Sequence, residues 1–453
     1  MNNKSYFRIY IFSICIFLFC ISAAKAEIPA NTPLNISLSL NEAIKSALQN
    51  NLNMKLARER INEAQGKKLG GMSDLLPHIE LIGSQTHVQR YNLRSQGLPG
   101  LLGPFDTFDA EGKISQRIFD LSAFAKARAE NLTVNIAQLT EKLAERQVIT
   151  QTIVAYLNVL QAQEAMKTIE SNIKVAKEIV ALAQHQYDVG MATLVDGARA
   201  QTRLAKETAQ RAKIMLSLQT AEFELKRMIG VQLSSTLTLT DNLYFVEELK
   251  IDLDQALNEA LTNRIETALS EEKVTYKKLK LDEAKKSRWP KISIGGQYGN
   301  SGEKYNKYDH EVGQFGINAA LPIFEGGETE AKIKQASSQS KQEQMIQNDI
   351  NQQIEEDVRL SVQILETSIK QVEANDLAQK LSARELEYAK NQAINGLSSN
   401  LIIDTAQSTL AQSQDNYIAA LAQYQTARLN YYSAIEKLES FNLNGGDNEQ
   451  RKN

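Results

Sequence analysis

Two hydrophobic periods alternate along the chain, and they divide it into elements. Ile149, Ile153, Tyr156, Leu157 and Leu160 recur at i, i+4, i+7, i+8 and i+11, one face of a helix. Val358, Val362, Leu365, Ile369 and Val372 keep a 4-3-4-3 spacing, which is the seam of a coiled coil. Neither Gly nor Pro interrupts these stretches, and the pattern predicts long helices over 121–188 and 327–394. Shorter helices are predicted over 39–73 and 252–287, and return helices over 194–229 and 399–438. Between them the period falls to two. Ile292, Ile294, Gly296 and Tyr298 alternate with polar positions such as Ser293 and Gln297. Phe315, Ile317, Ala319, Leu321 and Ile323 alternate with Gln314 and Asn318. This predicts strands near 290–300 and 312–324, with counterparts near 77–91 and 107–119.

The order helix–strand–strand–helix–helix therefore occurs twice, and the residues repeat with it. Leu40, Ala43, Ala47 and Leu48 match Leu253, Ala256, Ala260 and Leu261, and the same offset of 213 aligns Pro77 with Pro290. RIFD (117–120) matches PIFE (322–325). From a glycine in each corner, Gly190 and Gly396, the pairs Ala200-Gln201 and Ala406-Gln407 follow at equal distance, then Leu204-Ala205 and Leu410-Ala411. The units are 27–230 and 251–438, joined by a linker 231–250 whose β-branched run 235–240 reads as a short strand. At 1.5 Å per residue each long helix spans about 100 Å. The return helix 194–229 and the helix 252–287 together match that length, so two short helices stacked end to end would line one long one.

Composition changes the picture in one respect. Residues 1–26 carry a basic start (Lys4, Arg8), an apolar run and Ala24-Lys25-Ala26, the layout of a cleaved secretory signal. Its loss would take away both cysteines, Cys15 and Cys20, and lower the formal charge from −3 to −6 with Lys4, Arg8 and Lys25. Phe19 before Cys20 is too bulky for a lipid-attachment site. Mild acidity gives no support to nucleic-acid binding. The tail 439–453 ends in a polar, disorder-type stretch.

Catalytic chemistry is not legible. His78, His87, His185 and His310 are scattered without a second metal ligand at suitable spacing. Phosphate loops and nucleophile elbows are missing, and Glu355, Glu356 and Asp357 read as a solvated helix face. No enzyme activity and no cofactor or metal are expected. The strands are long enough to cross a bilayer when tilted, with Trp289, Tyr298, Tyr305 and Tyr308 toward their ends. A hairpin packed on a soluble core fits the alternation equally well. Four strands cannot close a membrane barrel, whereas three copies would supply twelve.

At this point the chain resembles the TolC family of outer-membrane efflux proteins. The resemblance rests on LPIFEGG (321–327), close to that family's Pro-Leu-Phe-Asp-Gly-Gly signature, on the two glycine corners and on the duplicated order over 36–438. The first copy, QRIFDLSA (116–123), lacks the proline and the glycine pair. The resemblance implies a mainly α fold with a membrane β-barrel portion: a homotrimer with one 12-stranded barrel and a twelve-helix tunnel in the periplasm. It implies the exit duct of a tripartite efflux or type I secretion system, opened by a periplasmic adaptor and powered by an inner-membrane pump of RND or ABC type. The corners would be the tips that meet the adaptor: Val189, Gly190, Met191, Ala192 and Thr193, then Asn395, Gly396, Leu397, Ser398 and Ser399. Pro77, Phe119, Pro290, Pro322, Phe324, Gly326 and Gly327 would mark the barrel–helix junction.

The family places entrance acids six and nine residues after the second glycine, where this chain has Ile402 and Thr405. Asp196 and Asp404 are the nearest candidates for a gate, and capping or solvating a helix start accounts for either as well. The competing reading is a periplasmic coiled-coil scaffold or adaptor without a pore, which would have no use for four bilayer-length alternating segments.

Overall fold

The computed structural model describes residues 35–91, 101–246, 251–305, 307, 310–395 and 400–443. The signal segment and the polar end of the tail (444–453) lie outside the described residues, as do Tyr308 and the second corner from Gly396 to Ser399.

The first unit opens with β1 (Asn35–Leu38), α1 (Leu40–Asn50) and α2 (Leu52–Ser73). It continues with β2 (His78–Tyr91), β3 (Leu101–Phe119), α3 (Leu121–Asp188) and α4 (Leu194–Ile229). After β4 (Thr236–Leu239) the second unit repeats the order. It has α5 (Leu253–Asn263), α6 (Ile265–Lys286), β5 (Lys291–Gly302), β6 (His310–Ala320), α7 (Glu328–Ile394) and α8 (Asn400–Ala434). The spans of α3 and α4 coincide with those predicted, 121–188 and 194–229. Asp120 caps α3 by accepting from Ser122 and Ala123 N–H, and Thr193 caps α4.

The predicted single helices over 39–73 and 252–287 are each broken once. Asn51 (φ −61°, ψ 137°) and Arg264 (φ −63°, ψ 134°) are extended, and each ends one helix and starts the next. At Asn51 the side chain explains the break. It accepts from Asn53 N–H at 2.8 Å and donates to the Met228 carbonyl at 3.2 Å, an end carbonyl of α4. At Arg264 the guanidinium reaches Asp357 at 3.0 Å on α7. Asp357 is thus a tether, where the sequence suggested only solvated charge.

These breaks bear on how the helices stack, and the expected pairing is corrected. The C-terminus of α4 meets α1 of its own unit: Ser46 Oγ and Asn50 Nδ2 donate to the Ile229 carbonyl at 3.0 and 3.3 Å. Gly230 closes α4 with φ 72°, and a Cβ there would lie 2.5 Å from Asn50 Cβ, so only glycine fits. The return helix 194–229 thus stacks on 40–73 and not on 252–287. The segment 253–286 stacks on α8 instead, with Ala256 and Ala260 in one core with Tyr424 and Ala427, and Lys437 paired to Glu259 at 2.7 Å. The partner is chosen by side chains that can satisfy end carbonyls, which helix length does not reveal.

The result is a curved wall. Near the sheet α2 packs on α3, α3 on α6 and α6 on α7; toward the corners the order is α4, α3, α8, α7. The long helices α3 and α7 run the full height. Alanine dominates the seams (Ala123, Ala125, Ala129, Ala176, Ala183 and others are buried), which lets helices approach closely. At mid-height β1 pairs in parallel with β4, from Asn35 opposite Thr236 to Leu38 opposite Leu239. The 235–240 run is thus a strand, but its partner 35–38 was not legible.

The sheet is antiparallel in the order β2-β3-β5-β6. β6 ends at Ala320, short of the predicted 324. Pro322 has no N–H to give a ladder, and Gly326 and Gly327 (φ 62° and 89°) turn the chain into α7. The last helix stops at Ala434 and not 438, because Glu436 takes a left-handed conformation, φ 57°.

Candidate functional site

Three surfaces matter: the sheet, its junction with the helices, and the corner end of the wall. In the sheet, cross-strand register puts the apolar residues on one face. Ile79 faces Ile114, Ile114 faces Gly296 and Gly296 faces Phe315. The next row on the other face reads Glu80, Lys113, Gln297 and Gln314. Ile82, Val88 and Val312 are apolar exceptions on that second face. The first face is bare: Leu81 is 87% exposed, Phe315 72% and Ile317 69%. Gly299 allows β5 to approach β3 closely, since a Cβ there would lie 2.1 Å from the Ala110 carbonyl oxygen. Both edge strands, β2 and β6, have one neighbour only among the described residues.

At the junction, Pro77 and Pro290 immediately precede β2 and β5, and Phe119 ends β3 opposite Ile292 after a bulge. Asp74, just past α2, binds Lys126 at 2.8 Å and Arg117 at 3.2 Å. The Lys126 hydrogen bond holds the Asp74 carboxyl below the usual range, against a smaller opposing effect of burial. The two long helices start differently: α3 on the carboxylate cap of Asp120, α7 on the left-handed Gly327. The Pro322–Phe324 corner stands free, with Ile323 91% exposed and Phe324 86%.

At the far end, α3 closes on a Schellman turn: Met191 N–H donates to the Gln186 carbonyl at 2.7 Å, and Gly190 N–H (φ 78°) to Tyr187 at 2.9 Å. Ala192 N–H also reaches the Gln186 carbonyl, at 3.1 Å. Val189, Met191, Leu194 and Val195 are left exposed on the outside of this turn. Of the second corner, Asn395 is described: it caps α7, its side-chain amide donating to Asn391 O at 2.9 Å. Gln186 Nε2 donates to Ala393 O at 2.9 Å, and Ile179 and Ala183 share a core with Leu386, Ala389 and Ile403. The ends of α3 and α7 are therefore packed together just before the corners.

The two acids suggested for an entrance differ. Asp196 accepts from Thr193 N–H at 2.9 Å and Thr193 Oγ1 at 2.7 Å, a reciprocal capping box. The Thr193 side-chain hydroxyl and then its backbone N–H hold the carboxyl below its ordinary value. Asp404 lies half-buried in the opening turns of α8. His87 pairs with Asp106 at 2.7 Å in the sheet. Among the described residues no cluster of His, Cys, Asp and Glu could hold a metal, and no helix is long and apolar enough to cross a membrane.

One constellation was invisible in the sequence. Arg146 of α3 binds Glu266 of α6 and Glu436 beyond α8, while Arg264 joins Glu266 to Asp357 of α7. Burial alone would raise the Glu266 carboxyl, but the Arg146 hydrogen bond and the two arginine charges outweigh it and keep the pKa low. These residues are 120 and 290 positions apart, and no local spacing announces them.

Comparison with known proteins gives a consistent result. A family model described as outer membrane efflux protein matches residues 43–231 and 256–435. The alkaline protease secretion protein AprF of Pseudomonas aeruginosa is 24% identical over 340 residues, 73% of this chain and 70% of the relative. The outer membrane protein TolC of Escherichia coli is 24% identical over 420 residues, 85% of this chain and 78% of TolC. Among solved structures, the CmeC outer membrane channel of Campylobacter jejuni superposes with a TM-score of 0.79 at 19% identity. That match covers 89% of this chain and 87% of CmeC.

Proposed function

The chain belongs to the outer membrane efflux protein family, and from that membership we propose that three copies form one passive exit duct across the outer membrane of a Gram-negative cell. In this reading the sheet lies in that membrane and the long helices extend into the periplasm. Three four-stranded sheets joined edge to edge make a 12-stranded barrel, and three walls make a twelve-helix tunnel below it.

The observation that carries this reading is the sheet. An apolar face of exposed Leu, Ile and Phe suits lipid, and burying each such side chain contributes about 1.5–3 kcal/mol. Two open edges do not suit lipid, because each unsatisfied backbone group there costs several kcal/mol. Pairing β6 of one copy with β2 of the next removes both edges. The wall supports the same closure. Leu360, Ile364, Leu377 and Leu381 lie exposed on α7 at one margin, and Met215, Leu216 and Phe223 on α4 at the other. Such a margin-to-margin contact is heterologous and closes into a ring. A pore-less scaffold leaves the apolar sheet face without a use.

The exposed apolar turn at Val189 and Met191, with Asn395 beside it, is the surface offered to a periplasmic adaptor. The remaining second-tip positions, Gly396 to Ser399, are assigned with it from the family resemblance. Asp196 and Asp404 stand at this entrance, where rearrangement of the corners would open the duct. Energy comes from an inner-membrane pump, of ABC type in a secretion system or RND type in drug or metal efflux. The relatives named for protease secretion support the first without excluding the second. Native mass of the detergent-purified protein, with planar-bilayer recording from the same preparation, tests the reading. A trimer carrying a small steady current is expected. A monomer, or a trimer that inserts without current, overturns it.

A further inference from the structure

One stripe of α3 runs along the concave side of the wall. Lys126, Glu130, Thr133, Ala137 and Thr140 line a cavity of about 1110 Å³ near the sheet, which α2, α6 and α7 also border. Four neighbouring helices can share one cavity only on the inside of their curve. Continuing the same 4-3 spacing from Thr140 reaches Asn158 and Gln161, which line two further cavities toward the corners. The stripe therefore follows the supercoil on one side of the wall for most of its height.

The chemistry along it changes. The cavity between α3, α8 and α7 is lined by amides, hydroxyls and aliphatic groups, with no charged residue. The cavity nearer the sheet is charged, and its charges do not cancel. Lys67 pairs with Glu63 at 2.6 Å and Lys126 with Asp74 at 2.8 Å, while Glu130 pairs at 2.7 Å with Lys280, which is shared with Glu283 at 3.0 Å outside the cavity lining. Arg60, Lys273 and Lys277 line the same space and stand in no ion pair among the described residues; Lys277 donates to the Gln339 amide oxygen at 3.3 Å and lies 6.0 Å from the centre of the Tyr276 ring. Glu343 is the one lining carboxylate left against them. Over the lining residues themselves, five cations against three acids leave two net positive charges per chain, in a protein whose formal charge is −3.

We propose that the membrane-proximal part of the tunnel is an anion-collecting segment, selecting cargo that carries exposed carboxylate or phosphate groups. The inference rests on the duct reading, in which the concave side is the lumen and three copies place six net positive charges in one ring. A ring of one sign between low-dielectric walls raises the local concentration of counter-ions. Its reach is the Debye length, about 30 Å at 0.01 M salt and about 3 Å at 1 M. The amide-lined part below it carries no such bias and lets cargo pass without holding it.

The test is the reversal potential of the trimer in a KCl gradient at low salt. Chloride is expected to permeate better than potassium by roughly threefold or more, and the preference should vanish near 1 M. Lys273→Gln with Lys277→Gln should reduce it, and Lys273→Glu with Lys277→Glu should invert it. Lys142→Glu is the control. Lys142 is exposed, two residues on from Thr140 and so about 200° round α3 from the stripe, and it should leave the ratio unchanged. Potassium preference in the wild type, or equal effects of the Lys142 and Lys273/Lys277 variants, overturns the anion segment while the duct stands. A trimer that carries no current overturns the duct, and the segment with it.

Discussion

Glu436 Oε2 accepts a hydrogen bond from Arg146 Nη1 at 2.6 Å, across 290 residues of sequence. The contact joins the end of the second unit to the middle of α3, and its geometry carries a cost. Glu436 sits at φ 57°, the same left-handed position that Gly230 holds one repeat earlier, 206 residues upstream. Both close a return helix in a Schellman turn: Val231 N–H donates to Lys226 O at 3.1 Å and Lys437 N–H to Tyr432 O at 2.8 Å. One copy uses glycine without strain. The other bears about 1–3 kcal/mol of strain and gains a carboxylate on a half-buried arginine.

Glycine and alanine at this position should therefore behave differently. Glu436→Gly loses the ion pair but also the strain, and is expected to lie within about 1 kcal/mol of the wild type. Glu436→Ala keeps the strain and loses the charged hydrogen bond, worth about 1.5–3 kcal/mol, so it should be the less stable variant. Thermal unfolding of the purified protein at one detergent concentration gives the order. Alanine equal to or above glycine would show that the left-handed cost is not borne there.

The first corner should weaken in acid. The Thr193 hydroxyl and N–H lower the Asp196 pKa in the folded state, so its contribution is present above the ordinary value of about 3.9. It is lost as pH falls through the lower, folded value. Hydrogen exchange at the amides of 193–197, corrected for intrinsic rates, should show protection collapsing across that window. Asp196→Ala should lack the protection at neutral pH as well. A flat profile in the wild type would mean the capping box does not hold the corner.

The two faces of the sheet should respond oppositely to one substitution. Phe315→Arg puts a charge on the apolar face and should cost about 2–4 kcal/mol if it lies near mid-bilayer, read as a loss of assembled trimer from the membrane. Gln297→Arg, on the facing strand but the opposite side, should assemble normally. Equal tolerance at both sites would place the sheet in water.

Apolar exposure at the first corner should matter for partner contact alone. Val189→Glu with Met191→Glu charges two of the four exposed apolar positions of the turn, leaving Leu194 and Val195, without touching Gly190 or the hydrogen bonds of the Gln186 carbonyl. If this corner is the adaptor surface proposed above, capture by such an adaptor should fall more than tenfold, about 1.4 kcal/mol, with the native mass and any conductance unchanged. Undiminished capture would move the adaptor surface elsewhere.

Much of this architecture is written locally. The spans of α3 and α4 follow from heptad spacing, Asp120, Thr193 and Gly190, each acting within a turn or two of itself. The sheet's two faces follow from the alternation around Ile294 and Ile317, since successive strand residues must point to opposite sides. Capping and pleat are short-range, so sequence by itself determined them.

Only the tertiary structure decided what those elements meet. Asn51 and Arg264 break their helices because of a carbonyl at Met228 and a carboxylate at Asp357, neither nearby in sequence. The stacking of α4 on α1, the pairing of Asn35–Leu38 with Thr236–Leu239 and the Arg146 cluster have the same origin. So does the uncompensated charge of Arg60, Lys273 and Lys277: charge can be counted in a sequence, but whether it is cancelled depends on which acids the fold brings within ion-pair distance. A buried polar group takes whatever partner the folded chain supplies, and that choice is made in space.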